Sequence, residues 1–277
     1  MRFKKVYLEI TNLCNLNCSF CHGTHRPSRF LSPDEFEILT EKLTGYTEYL
    51  YFHLMGEPLL HPELSTLLSL AGRRGFHVNL TTNGALLNNA SDTLLSASAL
   101  HRINISLQSW EANVCSLSLQ DYVNQCASFA KAAAACGIIV SLRLWNGGGA
   151  ETRNEEILEL LRCTFPAPWK TAQHNTVLSD RVFLEFGNIF DWPDAAADET
   201  GTCFCRGLRD QLGILCDGTV VPCCLDADGV LALGNLFDQE LRDILESPRA
   251  RSIYDGFSRR EAVESFCRRC GYAARFS

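Results

Sequence analysis

The chain has 277 residues, 46% hydrophobic and 21% charged, the balance of a soluble globular protein with room for one barrel-sized core and a small appendage. Its formal net charge of −7 argues against a polymeric nucleic-acid partner, which needs clustered Lys and Arg, and leaves a free nucleobase or nucleoside open as substrate. No apolar run spans a bilayer and the opening MRFKKVYLEI lacks the apolar core of an export signal, so the fourteen cysteines point to metal or redox chemistry in the cytoplasm.

In chain order, β-branched and aromatic runs predict strands over residues 6–10, 49–55, 77–82, 102–107, 138–145 and 182–186. Helical spacing predicts helices over 33–43, 63–72, 88–100, 119–136 and 154–162, the first opened by Ser32, Pro33 and Glu35 as a capped start. Six strands alternating with five helices imply an α/β chain of parallel βαβ units. An incomplete, TIM-like (β/α)6 barrel fits, with its site at the C-terminal ends of the strands. The run Gly147 to Gly149 reads as a flexible loop beside that site, since it lacks the spacing of a phosphate-binding loop. Residues 190–201 turn linker-like. A hairpin over 212–216 and 220–224, turning at Asp217-Gly218, and a short helix near 239–246 follow. The expected division is a barrel over 1–190 and a small domain over 191–277.

The strongest motif leaves the first strand. In VYLEITNLCNLNCSFCHG, Cys14, Cys18 and Cys21 are spaced C-x3-C-x2-C. Three thiolates on one short loop can ligate three irons of a [4Fe-4S] cluster and leave the fourth iron to a non-protein ligand. A zinc loop would want four ligands in paired spacings. Later strand ends carry further polar groups. Met55-Gly56-Glu57-Pro58 offers a carboxylate and a glycine that permits close backbone approach. Asn83-Gly84 reads equally as a plain turn and as a turn that points Asn83 into the site. Arg143 lies inside an apolar run, where a charge needs a partner: a cofactor carboxylate is preferred, a barrel Glu the alternative.

The cysteine loop resembles the signature of the radical S-adenosylmethionine (SAM) superfamily. That resemblance implies a SAM-binding [4Fe-4S] cluster, with SAM filling the open iron through its amino and carboxylate groups. It implies that Gly56 and Glu57 receive the SAM ammonium, that Phe20 and Asn83 lie at the cofactor, and that Ser106 meets its ribose or carboxylate. Arg143 would meet the carboxylate and Leu184 the adenine, with Glu185 on the opposite face of the sixth strand. The implied chemistry is reductive cleavage of SAM to a 5′-deoxyadenosyl radical, which takes a hydrogen atom from substrate.

Further on, Cys205, Gly218 and Cys223 give C-x12-G-x4-C, followed by Cys267-Arg268-Arg269-Cys270. With LGNLFDQELRDIL between, this resembles the SPASM subgroup, more closely its shortened "twitch" form with one auxiliary [4Fe-4S] cluster. Cys203 fits as first ligand as well as Cys205 does, and a zinc ribbon is the bland alternative. The remaining thiols, Cys115, Cys126, Cys136, Cys163, Cys203, Cys216 and Cys224, read as core or surface residues. One of them could donate a hydrogen atom to a substrate radical, and the sequence singles out none.

The layout is most similar to radical SAM dehydrogenases of the deoxy-scyllo-inosamine type, in which an auxiliary cluster accepts the second electron. That implies a small polar substrate and a reducing flavodoxin or ferredoxin as electron donor. His53, Gln108, Trp145, Asn146 and Glu185 are the expected pocket residues by position. The alternatives are modification of a peptide or protein side chain, as in sulfatase maturation or ribosomal-peptide tailoring, and a redox-neutral epimerase or lyase acting on a sugar or modified nucleobase. A non-catalytic iron–sulfur sensor is the reading from a different class.

Overall fold

The computed structural model describes residues 2–113, 117–149, 152–172, 175–194, 196–201 and 203–276. The strands are β1 (Lys5–Leu8), β2 (Tyr49–Phe52), β3 (His77–Thr82), β4 (Leu100–Ser106), β5 (Ile139–Gly147), β6 (Lys170–Ala172), β7 (Asn175–Ser179), β8 (Val182–Asn188), β9 (Gln211–Ile214), β10 (Thr219–Val221) and β11 (Gly234–Asn235). The helices of the first part are α1 (Pro33–Leu43), α2 (Leu64–Arg73), α3 (Leu87–Ser96), α4 (Leu119–Ala135) and α5 (Asn154–Thr164). Ser32 caps α1 in a full capping box with Glu35, an arrangement worth about 1 kcal/mol.

β1, β2, β3, β4, β5 and β8 are parallel neighbours in that order, the six strands of the partial barrel. Side chains alternate across each strand. One face sends Val6, Leu8, Leu50, Phe52, Val78, Leu80, Ile103, Ile105, Val140 and Leu142 into a single core with Leu39, Leu67, Val123 and Leu161 of the helices. The other face sends Lys5, Tyr7, Tyr51, Asn79, Arg102, Asn104, Ser141, Arg143 and Glu185 toward the lumen. The helix-covered face is dry and the lumen is polar.

The sheet continues past both ends of this barrel. β9 pairs in parallel with β1, from Lys5↔Gln211 to Leu8↔Ile214, and β10 returns antiparallel to β9. The hairpin after the linker therefore covers the open edge of β1, which would otherwise present unpaired backbone groups. At the far edge β7 and β6 add antiparallel strands to β8, elements whose short polar runs give little strand signal. The last part adds α6 (Leu241–Glu246), α7 (Pro248–Ser258) and α8 (Ser265–Arg268). The linker-like stretch packs back on the tail, with the rings of Phe190 and Tyr272 4.9 Å apart. No helix among the described residues is long and apolar enough to cross a membrane.

Candidate functional site: two cysteine constellations and a polar lumen

The two stems of the cysteine loop are tied together just beyond β1. Thr11 Oγ1 donates to Arg29 O at 2.9 Å, and Asn12 holds Pro27 O and Arg29 N with its two amide atoms, at 3.0 and 2.8 Å. The intervening loop presents Cys14 and Cys21 exposed and Cys18 half-buried, with Cys21 N donating to Cys18 O at 2.9 Å. Asn113 Nδ2 donates to Cys18 Sγ at 3.0 Å, and Asn113 Oδ1 accepts from Asn17 N at 2.9 Å. Burial pushes the Cys18 thiol up to about 11, and the neighbouring thiolates of Cys21 and Cys14 add to it. Three soft thiolate donors crowded on one loop fit the iron–sulfur cluster that the spacing implies. Phe20, 37% exposed beside Cys21, is free of the core.

Gly56 is where a second loop meets this one. Its φ is +76°, and a Cβ there would fall 2.5 Å from Thr11 O and 2.8 Å from Leu13 O. Only glycine allows that approach. Next to it, Glu57 N donates to Leu13 O at 2.7 Å. The Glu57 carboxylate is 1% exposed and accepts from Asn83 N at 2.7 Å and Leu59 N at 3.1 Å. Its carboxylate thus organises the Asn83 turn, a job the acidic motif did not announce. Burial raises its pKa to about 7 despite these donors. Asn83 satisfies both readings of its turn: Oδ1 accepts from Ala85 N at 2.9 Å, while Nδ2 donates to Asn15 Oδ1 at 2.9 Å and reaches Cys14 Sγ at 3.9 Å.

In the lumen, Arg143 and Glu185 face each other in register across β5 and β8, with Nε 3.2 Å from Oε2. The barrel Glu is therefore the partner of Arg143 in this structure, and the guanidinium also lies 4.6 Å over the Trp145 ring. Ser106 stands level with Arg143 at the end of β4. Glu185 Oε1 accepts from Ser141 Oγ at 2.7 Å and lies 3.7 Å from Arg102 Nη1. His53 sits among the rings of Tyr7 and Tyr51, and its Nδ1 is buried without a hydrogen bond among the described residues. Gln108 is 7% exposed with Oε1 likewise unpaired.

Two expectations need correcting. Leu184, expected against adenine, is 1% exposed in the helix-covered core opposite Leu142, because strand alternation turns it away from Glu185. Asn146, expected in the pocket, has the outward parity of Leu142 and Leu144 and exchanges amide hydrogen bonds with Asn154 of α5 at 2.9 and 3.2 Å.

At the other constellation, Cys205, Cys223 and Cys267 are half-buried and Cys270 is buried. Burial pushes Cys223 well up, and the thiolates of Cys205, Cys224 and Cys267 raise it further. Cys205 also acts on Cys267 and Cys270, so of the two cysteines that the spacing allows it is the one in company with the others. Four thiols fit a closed [4Fe-4S] ligand set. Among the described residues, no three His, Cys, Asp or Glu side chains converge tightly enough to hold a single metal ion.

Of the other thiols, Cys126 is buried, Cys136 and Cys163 are exposed, and Cys203 is half-buried. Cys115 lies outside the described residues. Cys216 packs against Glu9 and Arg26, with Cys216 N donating to Glu9 Oε2 at 3.0 Å. Cys224 packs beside Tyr7 of the lumen and Tyr272 of the tail. Asn113, Glu9, Arg26 and Tyr7 belong to the site and went unremarked in the sequence; Glu9, a carboxylate in the apolar run VYLEI, was the one readable signal.

A profile of the radical SAM superfamily matches residues 8–162, and one of the SPASM iron-sulfur cluster-binding domain matches residues 203–271. The chain belongs to the radical SAM superfamily, whose members work with SAM and [4Fe-4S] clusters, and it carries a SPASM domain. It is similar to a probable GTP 3′,8-cyclase of Methanocaldococcus jannaschii, 33% identical over 108 residues, or 38% of this chain and 36% of that protein. It is also similar to the S-adenosylmethionine-dependent nucleotide dehydratase of Selenomonas ruminantium, 33% identical over 87 residues and 31% of each chain. The chain thus spans about a third of the length of these curated relatives. Among solved structures, BtrN in complex with AdoMet and 2-DOIA superposes with a TM-score of 0.59 at 15% identity, over 98% of this chain and 93% of that one. Streptococcus suis SuiB bound to S-adenosylmethionine gives 0.65 at 15%, over 91% and 68%. At these identities the likeness is one of fold.

Proposed function

We propose that this radical SAM enzyme oxidises a small polar molecule held in the barrel lumen, with the auxiliary cluster as acceptor of the second electron. The SAM-bound cluster, when present, supplies a 5′-deoxyadenosyl radical that removes a hydrogen atom from the substrate. Cys14, Cys18 and Cys21 would hold that cluster, and Cys205, Cys223, Cys267 and Cys270 the auxiliary one. Gly56, Asn83, Ser106 and Phe20 would position SAM, with Glu57 fixing the Asn83 turn. We assign residues 1–190 to the barrel and 191–277 to the auxiliary domain, the reaction to the cytoplasm, and a reduced flavodoxin or ferredoxin to the role of donor.

The observation that carries the reading is the contact between the second constellation and the lumen. Cys224, adjacent to Cys223, packs against Tyr7, whose ring is 5.1 Å from His53. A cluster held by these thiols would have the Cys224–Tyr7 contact as its route to the lumen. The nucleotide-directed activities named for the curated relatives support a small-molecule substrate.

The test is the redox state of the product. A substrate that loses two hydrogens per SAM cleaved, in protein holding two clusters, supports the oxidation. An isomerised product of unchanged redox state sinks it.

A further inference from the structure

The lumen carries more positive charge than negative. Lys5 of β1, Arg102 of β4 and Arg143 of β5 face it, and Arg275 stacks 5.6 Å over Trp145 at the same end as Arg143. Among the described residues, the carboxylates of Glu9 and Glu185 share the parity of that face. Glu9 is consumed by Arg26, at 2.7 Å. Glu185 alone is left to serve both Arg102 and Arg143, at 3.7 and 3.2 Å. The ammonium of Lys5 lies 5.6 Å over the Tyr51 ring, and Asp210, the carboxylate whose field it feels, is already held by Arg206 at 2.6 Å and Lys4 at 4.0 Å.

The same face of the strands, and His53 just beyond β2, hold buried polar atoms without partners among the described residues. Asn79 is 2% exposed, and its Nδ2 donor makes no hydrogen bond. Asn104, one strand over and 1% exposed, leaves Oδ1 unpaired, and His53 leaves Nδ1 unpaired. Unpaired buried groups each cost stability, and a ligand that pairs them recovers it. Burial first, then the charges of Arg143 and Lys5, push the pKa of His53 down to about 3, so it adds no charge of its own.

We infer that the lumen binds a substrate bearing an oxyanion, a carboxylate or a phosphate ester, together with hydroxyl groups. Arg102 and Lys5 receive the oxyanion with Arg143 behind them, Asn79 Nδ2 donates to it, and Asn104 Oδ1 accepts a hydroxyl. The inference rests on the reading that a small polar molecule occupies the lumen. It also selects against an amine: among the described residues Lys5, Arg102 and Arg143 face the lumen against the single carboxylate of Glu185, which Arg102 and Arg143 already share, and the repulsion of an ammonium group there is a discriminating element. If the SAM carboxylate takes Arg143, Lys5 and Arg102 still face Glu185 with an excess of positive charge.

The experiment is thermal unfolding of the cluster-reconstituted, SAM-saturated protein at constant ionic strength, with inorganic phosphate, acetate, chloride or methylammonium chloride as the varied solute. Phosphate or acetate is expected to raise the midpoint above chloride, and methylammonium is expected not to. The variants Lys5→Gln and Arg102→Gln are expected to need about tenfold more anion for the same shift. Lys5 is exposed at the foot of β1, so Lys5→Gln keeps the fold. A larger effect of phosphate selects a phosphate ester, and a larger effect of acetate a carboxylate. No gain over chloride overturns the inference, as does stabilisation by methylammonium. A gain that survives undiminished in the double variant marks a surface anion site and overturns it too. Because the readout involves no turnover, the oxidation can fail while the anion preference stands, and the reverse.

Discussion

Arg26 Nη2 lies 2.7 Å from Glu9 Oε1, and the two side chains are only 11% and 0% exposed. The pair joins three segments. Glu9 Oε1 also accepts from Met55 N at 3.2 Å, beside the Gly56 loop, and Oε2 accepts from Cys216 N at 3.0 Å, at the end of β9. Arg26 Nε donates to Ala227 O at 2.7 Å. Through this pair the cysteine loop, the barrel and the auxiliary hairpin share one buried junction.

Breaking the junction from one side should cost more than replacing it. Arg26→Met leaves the Glu9 carboxylate buried without its counter-charge, a loss of about 3–5 kcal/mol. Glu9→Gln/Arg26→Met removes both charges and should recover much of that. Chemical denaturation of wild type, both single variants and the double variant gives the coupling. A double variant whose loss equals the sum of the two single-variant losses would make the pair energetically idle.

Much of this site was legible and some was not, for physical reasons. The cysteine spacings and the strand–helix alternation are local signals, so the loop, the six barrel strands and α1 through α5 could be read directly. Which face of β8 meets the lumen is set by register, and reading it correctly for Glu185 already excluded Leu184. Arg26 and Glu9 become partners only through a loop that folds back on itself. Asn113 reaches Cys18 across 95 positions of chain, a closeness that no periodicity encodes.

Glu57 should make the fold sensitive to pH. Its folded pKa, about 7, lies above the ordinary 4.5, so the native state holds a proton that the unfolded chain has already released. This contribution is fully present below about pH 4.5 and is lost as pH rises through about 7, a change of about 3 kcal/mol. In Glu57→Gln that loss should vanish. The measurement is the stability difference between wild type and variant in chelator-stripped protein, at about pH 5 and about pH 8. A constant difference would show that Glu57 is already ionised at the lower pH.

The hydrogen bond from Asn113 Nδ2 to Cys18 Sγ, 3.0 Å long, should tune the cluster held by the first loop. A donor to a ligating thiolate draws off electron density and raises the reduction potential. Asn113→Ala should therefore shift the potential negative in an EPR-monitored redox titration, with the iron content kept. An unchanged potential would reduce Asn113 to a brace for the loop at Asn17.

The two constellations should separate by variant. Cys14→Ala/Cys18→Ala/Cys21→Ala should take reconstituted iron from roughly eight to roughly four per chain and abolish SAM cleavage. Cys267→Ala/Cys270→Ala should also halve the iron, yet spare uncoupled cleavage of SAM to 5′-deoxyadenosine while removing substrate turnover. The asymmetry follows from the geometry: the first loop is tied to Gly56 and Asn83 at the barrel mouth, whereas Cys223 and Cys270 lie in a cluster with Tyr272 and Cys224, the latter packing against Tyr7 of the lumen. Iron and zinc analysis beside product assays decides it. If turnover survives the loss of Cys267 and Cys270, the second electron does not leave through the auxiliary cluster, and the electron-acceptor role proposed for it is wrong.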